Sequence, residues 1–255
     1  MVEAYGARLA VSAPDTEVLT RIIDGLPRGW TVSAEPVTED TVEWRFAVLR
    51  EGYGYRIKDG DGSERACPDL ELAIWMLRTQ MRRYIGHHAP DLVFIHSGVV
   101  AHKGLAILLP GPSFAGKSTL VAALVRAGAD FYSDEFAILD SDGVVLQYRE
   151  PLMIRGLHGT EEVDIGPVIV QPPISVGLVA LAMYKPGAAW LPRRLTAAAG
   201  VLAMMEHAVP ARERPAETLS TLGVALRNAV ILQGERGEAD ETAQALLDAV
   251  AAMRN

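Results

Sequence analysis

The chain has 255 residues, 49% of them hydrophobic, and a formal net charge of −8. An acidic balance argues against a general grip on nucleic acid, which needs a basic surface, and no apolar run approaches the roughly 20 residues of a membrane span. The lone Cys67 excludes a disulfide framework or a cysteine metal site within one chain, and the N-terminus lacks a basic-then-apolar signal pattern. The expectation is one or two domains of a cytoplasmic protein that takes neither nucleic acid nor a membrane as partner.

Residues 1–67 read as a small N-terminal α+β module. Tyr5–Val11 has strand character, and Asp15–Leu26 reads as a helix with Val18, Leu19, Ile22 and Ile23 on one face. Thr41–Leu49 and Tyr53–Lys58 read as strands, and Asp59-Gly60-Asp61-Gly62 is hairpin chemistry. No catalytic constellation stands out here, and Trp30 and Trp44 read as core.

Residues 68–255 read as the larger domain. A helix opens at Pro68 and runs to about His87, with Leu70, Ile74, Leu77, Met81 and Tyr84/Ile85 as its apolar stripe. Arg78, Arg82 and Arg83 lie off that stripe and read as a solvated face. His87-His88 read as a helix-end cap, and His102 as exposed. Leu92–His102 then reads as a strand, turned at Lys103-Gly104 into a second apolar run, Leu105–Leu109.

That second run leads into Gly111-Pro112-Ser113-Phe114-Ala115-Gly116-Lys117-Ser118-Thr119, the phosphate-binding (Walker A) pattern G-x-x-x-x-G-K-[ST]. Glycines at both ends let the backbone wrap phosphate oxygens with its N–H groups. Lys117 would reach the outer phosphates, and Ser118 is placed to ligate Mg²⁺. Leu120, Val121, Leu124 and Val125 recur at helical spacing behind the loop, and Gly128 stops the helix, so a helix dipole points at the same place.

A nucleotide site also needs a carboxylate. Asp140 begins the turn Ser141-Asp142-Gly143 between Glu135–Asp140 and Val144–Tyr148. Asp134-Glu135 end the first strand-like segment after the loop's helix, and Asp134 is the favoured acid. His96, inside an apolar strand, reads on chemistry alone as a core histidine. Further on, Val176–Tyr184 reads as a strand, Lys185-Pro186-Gly187 as a turn and Ala189–Leu195 as the return arm. Helical stretches follow at about 196–208, 215–229 and 239–253. The fold expected is α/β: a mixed, largely antiparallel sheet carrying the loop, plus the N-terminal module.

These residues resemble the HPr kinase/phosphorylase family, whose catalytic domain is related to phosphoenolpyruvate carboxykinase. The likeness covers about 92–157. It rests on Ile95-His96, the hairpin, GPSFAGKST, Val125-Arg126-Ala127-Gly128 and Tyr132-Ser133-Asp134-Glu135. Met153-Ile154-Arg155-Gly156-Leu157 is similar to the family's Glu-Ile-Arg-Gly-Leu motif. The resemblance implies an HPr-kinase-like catalytic fold and ATP-dependent phosphoryl transfer to a hydroxyl of a peptide, a protein serine or a small molecule. It makes Asp134 the acid/base, with Glu135 beside it, His96 an orienting group and Arg155 a charge clamp. ATP and Mg²⁺ are the implied cofactors, with Ser118, Asp134 and Glu135 on the metal. Arg193, Arg194 and Arg236 are lesser clamp candidates. HPr-like kinases are often oligomers, which leaves a homo-oligomer open, although no coiled-coil heptad is visible. The alternative is a nucleotide-binding regulatory protein with little transfer chemistry, because Met153 stands where the family has a metal-side Glu.

Overall fold

The computed structural model describes residues 1–33, 42, 44–112, 115–156, 159–165 and 169–253, with the side chains of 155, 156, 159 and 160 excepted. Contacts divide the chain into two units, Met1–Pro90 and Asp91–Asn255. No helix among the described residues is long and apolar enough to cross a membrane.

The first unit holds β1 (Val2–Ala4), β2 (Ala7–Ser12), α1 (Thr16–Asp24), β3 (Thr31–Val32), β4 (Trp44–Glu51), β5 (Gly54–Lys58), β6 (Glu64–Cys67) and α2 (Leu70–His88). Its sheet has the order β3-β1-β2-β4-β5-β6. β2 and β4 run parallel, as two strands joined through a helix can. Tyr5 and Gly6 both take positive φ and turn β1 back on β2, so the strand read from Tyr5 begins at Ala7. Asp15 and Asp69 accept hydrogen bonds from the backbone N of Val18 and Leu72, which sets where each helix starts. Trp44 is half-buried, 5.3 Å from the Tyr84 ring, and its indole N–H donates to Asp59 Oδ1. Thr41 lies outside the described residues.

Two readings change here. Arg78 is not on a solvated face: its guanidinium donates to the backbone carbonyls of Arg21 and Ile22, capping the end of α1, and burial holds its pKa below the usual arginine range. The unit also extends to Pro90 rather than stopping at 67. The apolar stripe of α2, with Ile74, Leu77, Met81 and Ile85 buried, packs on β2, β4, β5 and β6 instead of opening the next unit.

The second unit holds β7 (Leu92–His102), β8 (Leu105–Pro110), α3 (Lys117–Arg126), β9 (Asp130–Ser133), β10 (Phe136–Asp140), β11 (Val144–Leu146), β12 (Met153–Gly156), β13 (Gly159–Glu162), β14 (Ile174–Tyr184), β15 (Arg193–Arg194), α4 (Ala197–Met205), α5 (Pro215–Ala225), β16 (Val230–Arg236) and α6 (Ala239–Ala252). The main sheet has the order β11-β10-β7-β8-β14-β16-β15, with β9 also on β7, while β12 and β13 form a ribbon. β14 runs parallel to β8 and to β16, and the other ladders of this sheet are antiparallel. The architecture is thus mixed α/β with mixed sheets, as expected.

The neighbour of β14 is different from the one expected. The segment after Lys185-Pro186-Gly187 forms only the short β15, and it pairs with β16. β16, which the sequence reading passed over between two helices, takes the place beside β14 in register Leu178↔Val230 to Tyr184↔Arg236. The helix read to 229 stops at Ala225 to leave room for it.

Alternation along the strands builds two cores. Ala106 and Leu108 of β8 join Met204 and Leu222 of α4 and α5 on one face. Ile107 and Leu109 join Leu120 and Leu124 of α3 and Leu246 of α6 on the other. Gly98 lets α3 approach the sheet: a Cβ there would lie 2.5 Å from Val121 Cγ2. Gly98→Ala is therefore expected to destabilise by roughly 1–3 kcal/mol. Chemical denaturation should show a favourable coupling when Val121→Ala is combined with it, and strict additivity would contradict the assigned contact.

Candidate functional site

The site grows from an unusual use of β7. One edge of this strand carries β8, from Ser97↔Pro110 to His102↔Leu105. The other edge is shared: β10 covers Leu92–His96 and β9 covers Val99–Ala101. Asp134 and Glu135 fall in the break between them. Ser133 Oγ accepts from the backbone N of Glu135 at 3.2 Å and of Phe136 at 3.0 Å, and Ser97 N donates to Glu135 O at 3.2 Å. The acid pair is thereby held opposite Ser97, across β7 from the point where β8 runs out at Pro110. Two strand spacings are about 10 Å, a distance that side chains can close.

The Ser118 hydroxyl comes near enough to the Asp134 carboxyl to favour its ionised form. Asp134 is half-buried overall, but its Oδ1 is shut off from solvent and has no hydrogen-bond partner. Burial pushes its pKa up to about 7, Glu135 and Glu150 push the same way, and Ser118 and Lys117 pull against them. Asp140 is engaged elsewhere: its Oδ1 accepts from the backbone N of Asp142 and Val144, at 3.1 and 2.9 Å, and builds the turn into β11.

The Gly111–Thr119 segment runs from β8 into α3. Gly116 caps the helix with φ 79°, a left-handed conformation that suits glycine, and no side chain caps it. Lys117 Nζ donates to Gly111 O at 2.8 Å and Pro112 O at 2.9 Å. Burial lowers the Lys117 pKa, while Asp134 and Glu135 oppose the shift. Ala115 is buried and Thr119 exposed. Ser113 and Phe114 lie outside the described residues.

Gly111, Pro112, Lys117 and Glu135 line a cleft of about 1040 Å³, together with His96 and the apolar Leu181, Met183 and Ala203, while Asp134 and Ser118 lie behind this lining rather than in it. His96 is not the core histidine its strand suggested. Its side chain is exposed, at the cleft, with the ring 4.8 Å from that of Phe136. Its backbone N donates to His207 O at 2.9 Å, and Ile95 bridges Ala208, so the end of α4 brings a second histidine into the same cleft. Burial lowers the His207 pKa and Lys117 adds to the effect, with Glu206 opposing. Sequence reasoning missed His207. It follows an apolar helix with no motif around it, and the bridge to β7 alone places it.

The arginines separate clearly. Arg193 is exposed on the cleft and donates to Gln233 Oε1 from Nε and Nη2. Arg194 is exposed. Arg236 is buried, with its guanidinium on backbone carbonyls, so it is no free clamp. Arg155 sits on β12 opposite Thr160, and its side chain lies outside the described residues. Met153 is 39% exposed on the same strand.

Among the described residues no group of three or more His, Cys, Asp or Glu converges as a metal centre. A cation of the Mg²⁺ type needs less: one or two protein oxygens, with phosphate and water completing its shell. The Ser118 hydroxyl beside the buried, partnerless Oδ1 of Asp134 fits that requirement, with Glu135 next in the chain.

The raised Asp134 pKa has a stability consequence. The folded chain keeps this proton up to about pH 7, whereas an unperturbed carboxyl loses it near 3.8. Between those values the unfolded state binds fewer protons, so the contribution falls as pH rises and levels off above about 7. Asp134→Asn removes it. Thermal unfolding should show the variant gaining on the wild type from pH 4.5 to 7, by less than the roughly 1.4 kcal/mol per unit of a fully buried group. A constant difference across that range would contradict the burial.

No family model and no curated protein matches the chain. Among solved structures, the Hpr(Ser) kinase/phosphatase from Coxiella burnetii is similar at 14% identity over 63% of this chain and 90% of that one, with a TM-score of 0.34.

Proposed function

We propose that this chain transfers the terminal phosphoryl group of ATP to a hydroxyl, with Asp134 as general base. The observation that carries the reading is the Asp134 carboxyl, half-buried and under the influence of Ser118 and Lys117 of the Gly111-x-x-x-x-Gly116-Lys117-Ser118 loop, with a pKa pushed up to about 7. A base works best with a pKa near the working pH, and few carboxyls reach that value without a buried position beside another acid. The motif resemblance to HPr kinases points the same way.

In this reading the loop amides and Lys117 hold the β- and γ-phosphates. Lys117 would exchange its bonds to the Gly111 and Pro112 carbonyls for phosphate oxygens. Asp134 takes the proton of the acceptor hydroxyl. The freed oxygen bonds to the γ-phosphorus, the bond from γ-phosphorus to the bridging oxygen breaks, and that electron pair leaves on ADP. Ser118 and Asp134, with Glu135, would hold Mg²⁺, which supplies neutralising charge between the phosphates. His96, at the cleft, orients the acceptor. Arg155 is proposed as the clamp only through the motif it shares. The acceptor is a serine of a peptide or protein, or a small hydroxyl compound, entering by the cleft. Because catalysis of this type rests on positioning and electrostatics, one group out of place costs orders of magnitude.

Asp134→Asn should leave ATP affinity near wild type and slow labelled phosphate transfer by about 10²–10⁴. A chain that binds ATP but labels no hydroxyl acceptor in a peptide and small-molecule panel would instead be a nucleotide-binding regulator. Lys117→Ala should weaken ATP binding by about tenfold or more, since a charge-assisted contact is lost. Unchanged affinity would remove the loop from the phosphate site.

A further inference from the structure

Among the described residues Arg236 is the largest side chain closed off from solvent, 2% exposed. It ends β16 and stands in register with Tyr184 at the end of β14, its guanidinium carbon 5.3 Å from the Tyr184 ring centroid. Nη1 donates to Gly237 O at 2.8 Å and Nη2 donates to Gly116 O at 2.7 Å, while Nε is buried with no partner. A guanidinium so enclosed is costly to bury unless its position is useful or well paired. Burial lowers its pKa, and Tyr184 and Glu238 oppose the shift.

The carbonyl it holds belongs to Gly116, the residue that caps the start of α3. Leu120 N donates to the same oxygen at 3.1 Å, so Gly116 O is fixed from the helix and from β16. A Cβ at Gly116 would collide with Nη2, so the close approach depends on that glycine. In a trans peptide the C=O and the following N–H point in opposite directions. Fixing Gly116 O therefore fixes the Lys117 N–H, one of the amides that a helix leaves unpaired at its N-terminus.

We infer that Arg236 is a positioning residue for the Gly116–Lys117 peptide, aiming the first amide of α3 at the bound phosphate from behind the loop. The inference rests on the proposed phosphate role of the loop. It gives Arg236 no contact with the transferring group. A lysine keeps the charge but cannot present two forked donors to the Gly116 and Gly237 carbonyls while stacking on a ring.

The test uses the full chain, Mg²⁺ and ATP. Arg236→Lys should raise the ATP Kd by about 10-fold or more, as expected for losing a charge-assisted bond, and hydrogen exchange at Lys117–Leu120 should speed up while the amides of α6 hold. Tyr184→Leu keeps the guanidinium donors but removes the ring, and should weaken binding by about threefold, the scale of a cation–π contact. Should Arg236→Lys fail to fold, the Tyr184 variant decides by the same two readouts. Unchanged ATP affinity and unchanged exchange at the loop, in a folded variant that has merely lost melting temperature, would overturn the inference and leave Arg236 a core residue. Should the wild type bind no ATP, the phosphate reading fails by itself. The exchange at Lys117–Leu120 then still reports whether Arg236 orders that peptide, and no change there overturns this inference too.

Discussion

An edge of β7 shared by two strands is the constraint on which the candidate site depends. A strand edge offers a fixed row of donors and acceptors, and one partner normally takes all of it. Here β9 takes the far part and β10 the near part. The chain between them must leave the ladder and return within two residues. The buried Ser133 hydroxyl supports that excursion by accepting from two of the amides that follow it. The residues pushed out are Asp134 and Glu135, and the strand on the opposite edge of β7 is the one that runs into Gly111. The acid meets the loop because the sheet leaves it nowhere else to go.

Burial then makes the charges of the site interdependent. It raises Asp134 and lowers Lys117, so each is pushed toward its neutral form, and each is drawn back by the other. Glu135 acts on both, raising one pKa and opposing the fall of the other. Such a cluster responds to a polyanion in the opposite sense for each member. The lysine gains a partner, and the acid needs added positive charge to ionise fully, which is where a divalent cation belongs in the proposed reaction.

Much of this was legible in the sequence, for local reasons. The Lys103-Gly104 turn between two apolar runs specifies the β7–β8 hairpin, and the glycine spacing specifies the loop. Asp140 could be set aside because its neighbours Ser141-Asp142-Gly143 spell a turn. What was not legible depended on distant pairing. β16 is Val-Ile-Leu-Gln-Gly-Glu-Arg, half polar, and becomes a strand only beside β14. His207 carries no motif and is placed by a bridge to β7. Arg78 looked like a surface cation because helical periodicity says nothing of a carbonyl end facing it. The helix over 70–88 could be read, but not the sheet it packs on.

The pairing of β11 with β14, added to the run β11-β10-β7-β8-β14, closes five strands into a circuit. A closed circuit offers few open borders for a foreign chain to extend. On the far side the sheet ends in β15, two residues long and made of two arginines. A border that short and that cationic is poorly suited to growth by strand addition, because a second copy would have to bring its own arginines against it. At this border, self-association by a continued ladder is disfavoured, and side-chain surfaces are the better contact.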